Sequence, residues 1–186
     1  MTAYTVFPTA IGRCALAWRG DAITGAALPG ADESATVQAT TRHDRDRLRA
    51  DPPAWAQAVI TRIKRLFEGN PVDFADVPLS LDDAAPFERL VYAHALTIPH
   101  GETRTYGEIA RALDQPGSAR AVGRALCRNP IPILIPCHRV LAADGRSGGF
   151  SAPGGVSTKL KLLGMERARR GAQPELFDDL AWAIRS

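Results

Sequence analysis

Between residues 129 and 140 the chain reads Asn-Pro-Ile-Pro-Ile-Leu-Ile-Pro-Cys-His-Arg-Val, and no other stretch limits the backbone so strongly. Prolines at 130, 132 and 136 fix φ and remove N–H donors, which denies the run a regular hydrogen-bonded ladder. The expectation is an extended apolar segment ending in a turn, and that turn sets Cys137 beside His138. A thiol is a weak nucleophile until something takes its proton, and an adjacent imidazole is one of few ways to do so. These two residues alone leave a second reading open, a buried small thiol next to a satisfied core histidine.

At 186 residues the chain can build one good core or two small lobes. No apolar run approaches a membrane span, and the N-terminus lacks a signal-peptide pattern, so a cytoplasmic protein is expected, nuclear where a nucleus exists. Cys14, Cys127 and Cys137 form an odd set without a CxxC pair, which argues against a disulfide scaffold and fits a reducing compartment. The four histidines lack ligand spacing relative to one another or to the cysteines, so no metal is expected; no cofactor is expected either. Charge is more telling. Residues 1–80 hold nine basic and nine acidic side chains, whereas residues 104–170 hold twelve basic and four acidic, an excess of +8. Such a surface attracts phosphate backbones through counterion release, although a solvated basic face has the same composition.

The pattern divides into an α/β N-terminal lobe, residues 1–80, and a mainly α C-terminal domain, residues 81–186. In the first lobe, Ile11–Trp18 and Ala22–Leu28 read as strands joined by a Gly20-Asp21 turn. Residues 53–68 put Trp55, Val59, Ile63 and Phe67 on one helical face. Cys14 lies in a strand pattern and reads as core. In the second region, Pro86 opens a helix with an apolar stripe through Phe87, Leu90, Val91 and Leu96. Tyr106–Leu113 follows as a short helix with Thr105 as its cap. After Asp114-Gln115-Pro116-Gly117, a helix from Ser118 to about Arg128 completes a helix-turn-helix pattern. Its small residues would admit either a groove or another helix. A loop with five glycines between Asp144 and Gly155 precedes a helix over residues 156–169 that should bury Leu160, Leu163 and Met165. The tail from Pro174 reads as a short docked helix.

At this point several separate elements agree in type and spacing with one family. Ala119-Arg120-Ala121-Val122-Gly123, then Asn129-Pro130, then Ile133 to Val140 resemble the O6-alkylguanine-DNA alkyltransferases, also called methylated-DNA–protein-cysteine methyltransferases. The resemblance runs from Tyr106 to Glu166. It implies a DNA-binding alkyltransferase domain with a helix-turn-helix, and a protein that acts once. By this resemblance Cys137 is the alkyl acceptor, and His138 is its base through a water, oriented by Glu166. Asn129 braces the turn, while Tyr106 and Lys159 stabilise the departing guanine. Arg120 is the finger that fills the gap left by the extruded nucleotide, within a DNA-binding face of Ser118, Ala119, Ala121, Gly123 and Arg124. Leu126, Phe150, Ser151 and Val140 line the substrate pocket, with Ser151 near the guanine O6. Phe150 stands where many relatives carry tyrosine, and Cys127 is read as structural.

The implied partner is double-stranded DNA carrying O6-alkylguanine, entered from the minor groove by a monomer that can assemble cooperatively on DNA, with no membrane involved. The alkylated base lies inside the duplex, so the nucleotide must rotate out before a thiolate can displace the alkyl carbon. Three rivals are weaker. A non-catalytic alkyltransferase-like protein would have replaced Cys137. A cysteine hydrolase needs an oxyanion hole and turnover. A helix-turn-helix regulator needs a second domain that this length does not hold.

Overall fold

The computed structural model describes residues 1–41, 46–143 and 147–168. By contact density these form two compact units, Met1–Asp83 with Pro130–Leu134, and Ala84–Asn129 with the chain from Ile135 on. The described residues include no helix long and apolar enough to cross a membrane.

The first unit is a mixed sheet with two helices. Strands β1 (Thr2–Thr9), β2 (Gly12–Arg19) and β3 (Ala22–Ala27) are antiparallel neighbours, and β4 (Arg47–Arg49) joins the free side of β1 in parallel, giving the order β3-β2-β1-β4. Two of these strands match the sequence expectation closely. The strand β1, the short edge β4 and helix α1 (Glu33–Thr40) were not expected. Helix α1 has a weak apolar pattern and is defined by its ends, with Asp32 accepting from the Ala35 N–H at 2.7 Å. Gly25 explains how α1 fits. A Cβ at that position would stand 2.0 Å from the Thr40 carbonyl oxygen, so the strand must lack a side chain there. Helix α2 (Ala54–Phe67) buries Val59, Ile63 and Phe67, as its spacing predicts, and Ile60 and Leu66 besides, while Trp55 is only half-buried. Cys14 is fully buried in β2.

Residues 130–134 belong to this unit because their backbone serves it. The Ala26 N–H of β3 donates to the Pro130 carbonyl at 3.1 Å, and Ile131, Ile133 and Leu134 are buried. Ile133 adopts φ +81°, a left-handed conformation that costs a β-branched residue of order 1–3 kcal/mol. Burial of its side chain, with that of Ile131 and Leu134, is what holds it there.

The second unit is mainly helical: α3 (Pro86–Leu96), α4 (Tyr106–Ala112), α5 (Ala119–Cys127) and α6 (Gly155–Met165), with a two-stranded parallel sheet of β5 (Arg104–Thr105) and β6 (Val140–Leu141). Helix α5 packs against α3 and α4. It buries Val122, Ala125 and Leu126, and the Tyr92 hydroxyl of α3 donates to the Ala125 carbonyl at 2.9 Å. Thr105 caps α4 as expected, in a reciprocal pair with Glu108. Three expectations need correction. The buried stripe of α3 is Val91, Tyr92 and Ala95, while Leu90 is 52% exposed. Helix α6 buries Lys159, Leu162 and Leu163 rather than Leu160 and Met165, and it stops at Met165. The stop has a local cause: Glu166 caps the helix and Arg167 turns to φ +49°. The expected tail helix lies outside the described residues, as does part of the glycine-rich loop.

Candidate active site

The turn expected after the proline run is tight. Pro136 sits at φ −80°, ψ +63°, an inverse γ-turn in which the Cys137 N–H donates to the Ile135 carbonyl at 2.8 Å. The Asn129 side-chain amide donates to the same carbonyl at 3.0 Å. Asn129 also hydrogen-bonds the Cys137 thiol. One buried amide thus ties the end of α5 to the turn and to the nucleophile. A 3₁₀ turn over Cys137–Arg139 then leads into β6, closed by the Arg139 N–H to the Pro136 carbonyl at 2.9 Å.

Behind the cysteine lies a buried ionic cluster. His138 Nε2 donates to Glu166 Oε1 at 2.9 Å. Arg139 grips the same carboxylate with two donors, Nε to Oε2 and Nη2 to Oε1, each at 2.9 Å, and its third nitrogen donates to the Ile98 carbonyl at 2.7 Å. All three side chains are at most 6% exposed. Burial works against the Glu166 carboxylate, but His138 and Arg139 outweigh it and hold the carboxyl well below its usual range. An ionised carboxylate can only accept, so Nε2 of His138 carries a proton, and in the neutral ring Nδ1 is left with a lone pair. Nδ1 is buried and has no hydrogen-bond partner among the described residues. A general base needs an unengaged lone pair within reach of the proton it takes, directly or through one water, and Nδ1 supplies the lone pair.

The thiol itself is held protonated. Burial pushes Cys137 above the ordinary cysteine value, against the Asn129 hydrogen bond and the positive charge of Lys159. Lys159 is fully buried, and burial lowers it to about 8. Its ammonium donates to the Val140 carbonyl and stands 5.7 Å from the centroid of the Tyr106 ring. Tyr106 is pushed up to about 12 by burial and by the negative charge that Cys127 and Cys137 can carry, so its hydroxyl remains a donor at neutral pH. That hydroxyl is 3.5 Å from the Gly149 carbonyl.

Of these groups, Cys137 and Tyr106 border a surface pocket whose empty space, open solvent included, is about 210 Å³. Tyr106 and Gly123 form one side, Leu126 and Cys127 come from α5, Cys137 is at the wall, and Gly149, Phe150 and Ser151 close the loop side. Of the residues expected at a substrate pocket, Leu126, Phe150 and Ser151 line it; Val140 does not, because it is fully buried and its carbonyl is engaged by Lys159. Gly148 makes the approach possible. At φ +62°, a Cβ there would stand 3.0 Å from the Tyr106 ring edge and hydroxyl.

On α5, Arg120 and Arg124 are exposed, Ala119, Ala121 and Gly123 are half-buried, and Ser118 is the N-terminal cap position. Two features escaped sequence reasoning. Arg139 was read only as part of a matching string, although a basic residue two past the cysteine could have suggested a partner for a carboxylate. Cys127, read as structural, is exposed and borders the pocket, because it falls on the last turn of α5 one residue past the buried Leu126.

Comparison with known proteins fits this geometry. The pattern of the 6-O-methylguanine DNA methyltransferase DNA-binding domain matches residues 86–168. The methylated-DNA–protein-cysteine methyltransferase of Mycobacterium tuberculosis is 38% identical over 178 residues, covering 96% of this chain and 100% of that one. Its counterpart from Mycobacterium leprae is 45% identical over 125 residues, 67% of this chain and 73% of the relative. Among solved structures, Mycobacterium tuberculosis OGT in complex with DNA superposes with a TM-score of 0.72 at 37% identity, covering 88% of this chain and 92% of that one. The likeness extends through the α/β unit as well as the helical one, and the chain belongs to the methylated-DNA–protein-cysteine methyltransferase family.

Proposed function

We propose that this protein repairs DNA by moving the alkyl group of O6-alkylguanine onto Cys137, irreversibly and once per molecule. The observation that carries the reading is a pocket-lining thiol backed by a histidine whose tautomer is fixed by a buried carboxylate–arginine pair. The pocket accepts a nucleotide rotated out of the duplex, since the alkyl carbon is out of reach inside the stack. His138 Nδ1 takes the thiol proton through a water, and Glu166 offsets the positive charge that then develops on the ring. The sulfur attacks the alkyl carbon in line as the carbon–oxygen bond to guanine breaks. Tyr106 donates toward the guanine as it leaves, and Lys159, placed at the ring of Tyr106, stabilises the negative charge that grows there. The product is a thioether, which has no acidic proton and no good leaving group. Nothing among the site residues could regenerate the thiol.

DNA is the partner in this reading. The exposed Arg120 on α5 fills the gap in the base stack, and the small residues at 119, 121 and 123 allow the helix to enter a minor groove. Repair has to accept any flanking sequence, so phosphate contacts and shape dominate over base-edge readout. Residues 81–186 carry this chemistry and residues 1–80 carry none, in a cytoplasmic monomer. The decisive experiment is intact-protein mass after incubation with a duplex holding one O6-methylguanine, beside Cys137→Ala. One added methyl per chain, absent in the variant, supports the reading; lesion-selective binding without a mass change overturns it in favour of damage recognition alone.

A further inference from the structure

The chain has three cysteines in three different settings. Cys14 is fully buried, and burial pushes its thiol to about 12, which leaves it inert. Cys137 is 7% exposed and also held protonated. Cys127 is exposed, and it borders the same pocket as Cys137. The pocket is therefore a two-thiol pocket, in which the thiol that solvent reaches first is not the proposed acceptor.

From this arrangement we infer that Cys127 is a modification site at which a low-molecular-weight disulfide reversibly closes the pocket and spares Cys137. The inference rests on the reading of this pocket as the alkylguanine site. In the exchange, the Cys127 thiol loses its proton and attacks one sulfur of the disulfide. A new sulfur–sulfur bond forms to Cys127 as the old one breaks, and the second half leaves as a thiol carrying the proton. One disulfide replaces another, so no further oxidant is needed. The adduct fills space between Leu126 and Phe150 that the extruded base would occupy. Its removal by an added thiol restores the pocket, whereas alkylation of Cys137 is permanent. Access favours Cys127, since exchange rates depend on exposure of the attacking thiol.

The test treats the full chain with glutathione disulfide, maps the adduct by peptide mass, and measures alkyl transfer from an O6-methylguanine duplex before treatment, after it, and after a dithiol. The expected result is an adduct on Cys127, a loss of transfer equal to the fraction of chains that carry it, and full recovery with the dithiol. Cys127→Ser, compared with its own untreated sample, should lose nothing on treatment. An adduct on Cys137 alone, no adduct, or an adduct on Cys127 with transfer intact would each overturn the inference. If the untreated protein transfers no alkyl group, the reading of the pocket fails, and an inference that rests on it falls too, whatever the peptide map shows.

Discussion

Cys14 and Cys137 are both buried thiols, one in the sheet of the first unit and one in the helical unit, and only one is built to react. Around Cys14 the polar company among the described residues is a single hydroxyl, Thr9 Oγ1 at 3.7 Å. Around Cys137 stand an amide that bonds the sulfur, a buried ammonium, and a histidine next in sequence whose far nitrogen is anchored to Glu166. Burial raises both thiols, so burial does not distinguish them. The difference is that the second unit has placed charged groups in its interior, where each must be paired. A fold that buries His138, Arg139, Lys159 and Glu166 together has traded part of its apolar core for a site.

The sharpest break between the two thiols is substitution. Cys137→Ala should abolish alkyl transfer while Cys14→Ala leaves it and costs about 1 kcal/mol of stability, read by intact mass and urea unfolding. Equal activity in both variants would erase the contrast. Next in size, His138→Gln should slow transfer by about 10²–10⁴-fold with little change in DNA affinity, as expected for loss of a general base. Parallel losses in rate and affinity would point to a folding role instead. Glu166→Ala leaves Arg139 buried without its carboxylate and should destabilise the second unit by about 3–5 kcal/mol, seen as a lower urea midpoint.

The same pair gives a pH signature. Glu166 is held below its ordinary value of 4.5, so the stability it contributes is complete above that value and drains away as pH falls below it. Lys159, lowered from 10.5 to about 8, acts in the opposite sense: its penalty is complete below about 8 and is relieved as pH rises toward 10.5. Unfolding of Lys159→Met should therefore lack a rise in stability across that alkaline window. The smallest effect lies at the helix-turn-helix. Thr105→Ala removes the cap of α4 and should cost about 1 kcal/mol with the transfer chemistry preserved.

How far the sequence reached differs between the units too. In the helical unit the ends of α3 and α4 and the start of α5 were legible because proline, threonine and serine mark them locally. The turn at Cys137 was legible because three prolines permit little else. In the first unit, β3 and α2 were legible from their periodicity. Helix α1 was not, since its residues carry no apolar stripe and its position depends on the missing side chain at Gly25. Leu90 shows the limit of periodicity, which identifies an apolar face but not whether the fold covers all of it.

What the sequence determined by itself was the presence of a constrained turn carrying a thiol and an imidazole, and a basic helix-turn-helix ahead of it, because proline geometry, caps and charge are local properties. What only the tertiary structure decided was the company those groups keep. Glu166 reaches His138 across 28 residues, Lys159 reaches Val140 across 19, and Cys127 comes to share a pocket with Cys137. The tautomer of His138, the protonation of Cys137 and the exposure of Cys127 all follow from burial and pairing, which are set by how distant segments pack and cannot be read from any one of them.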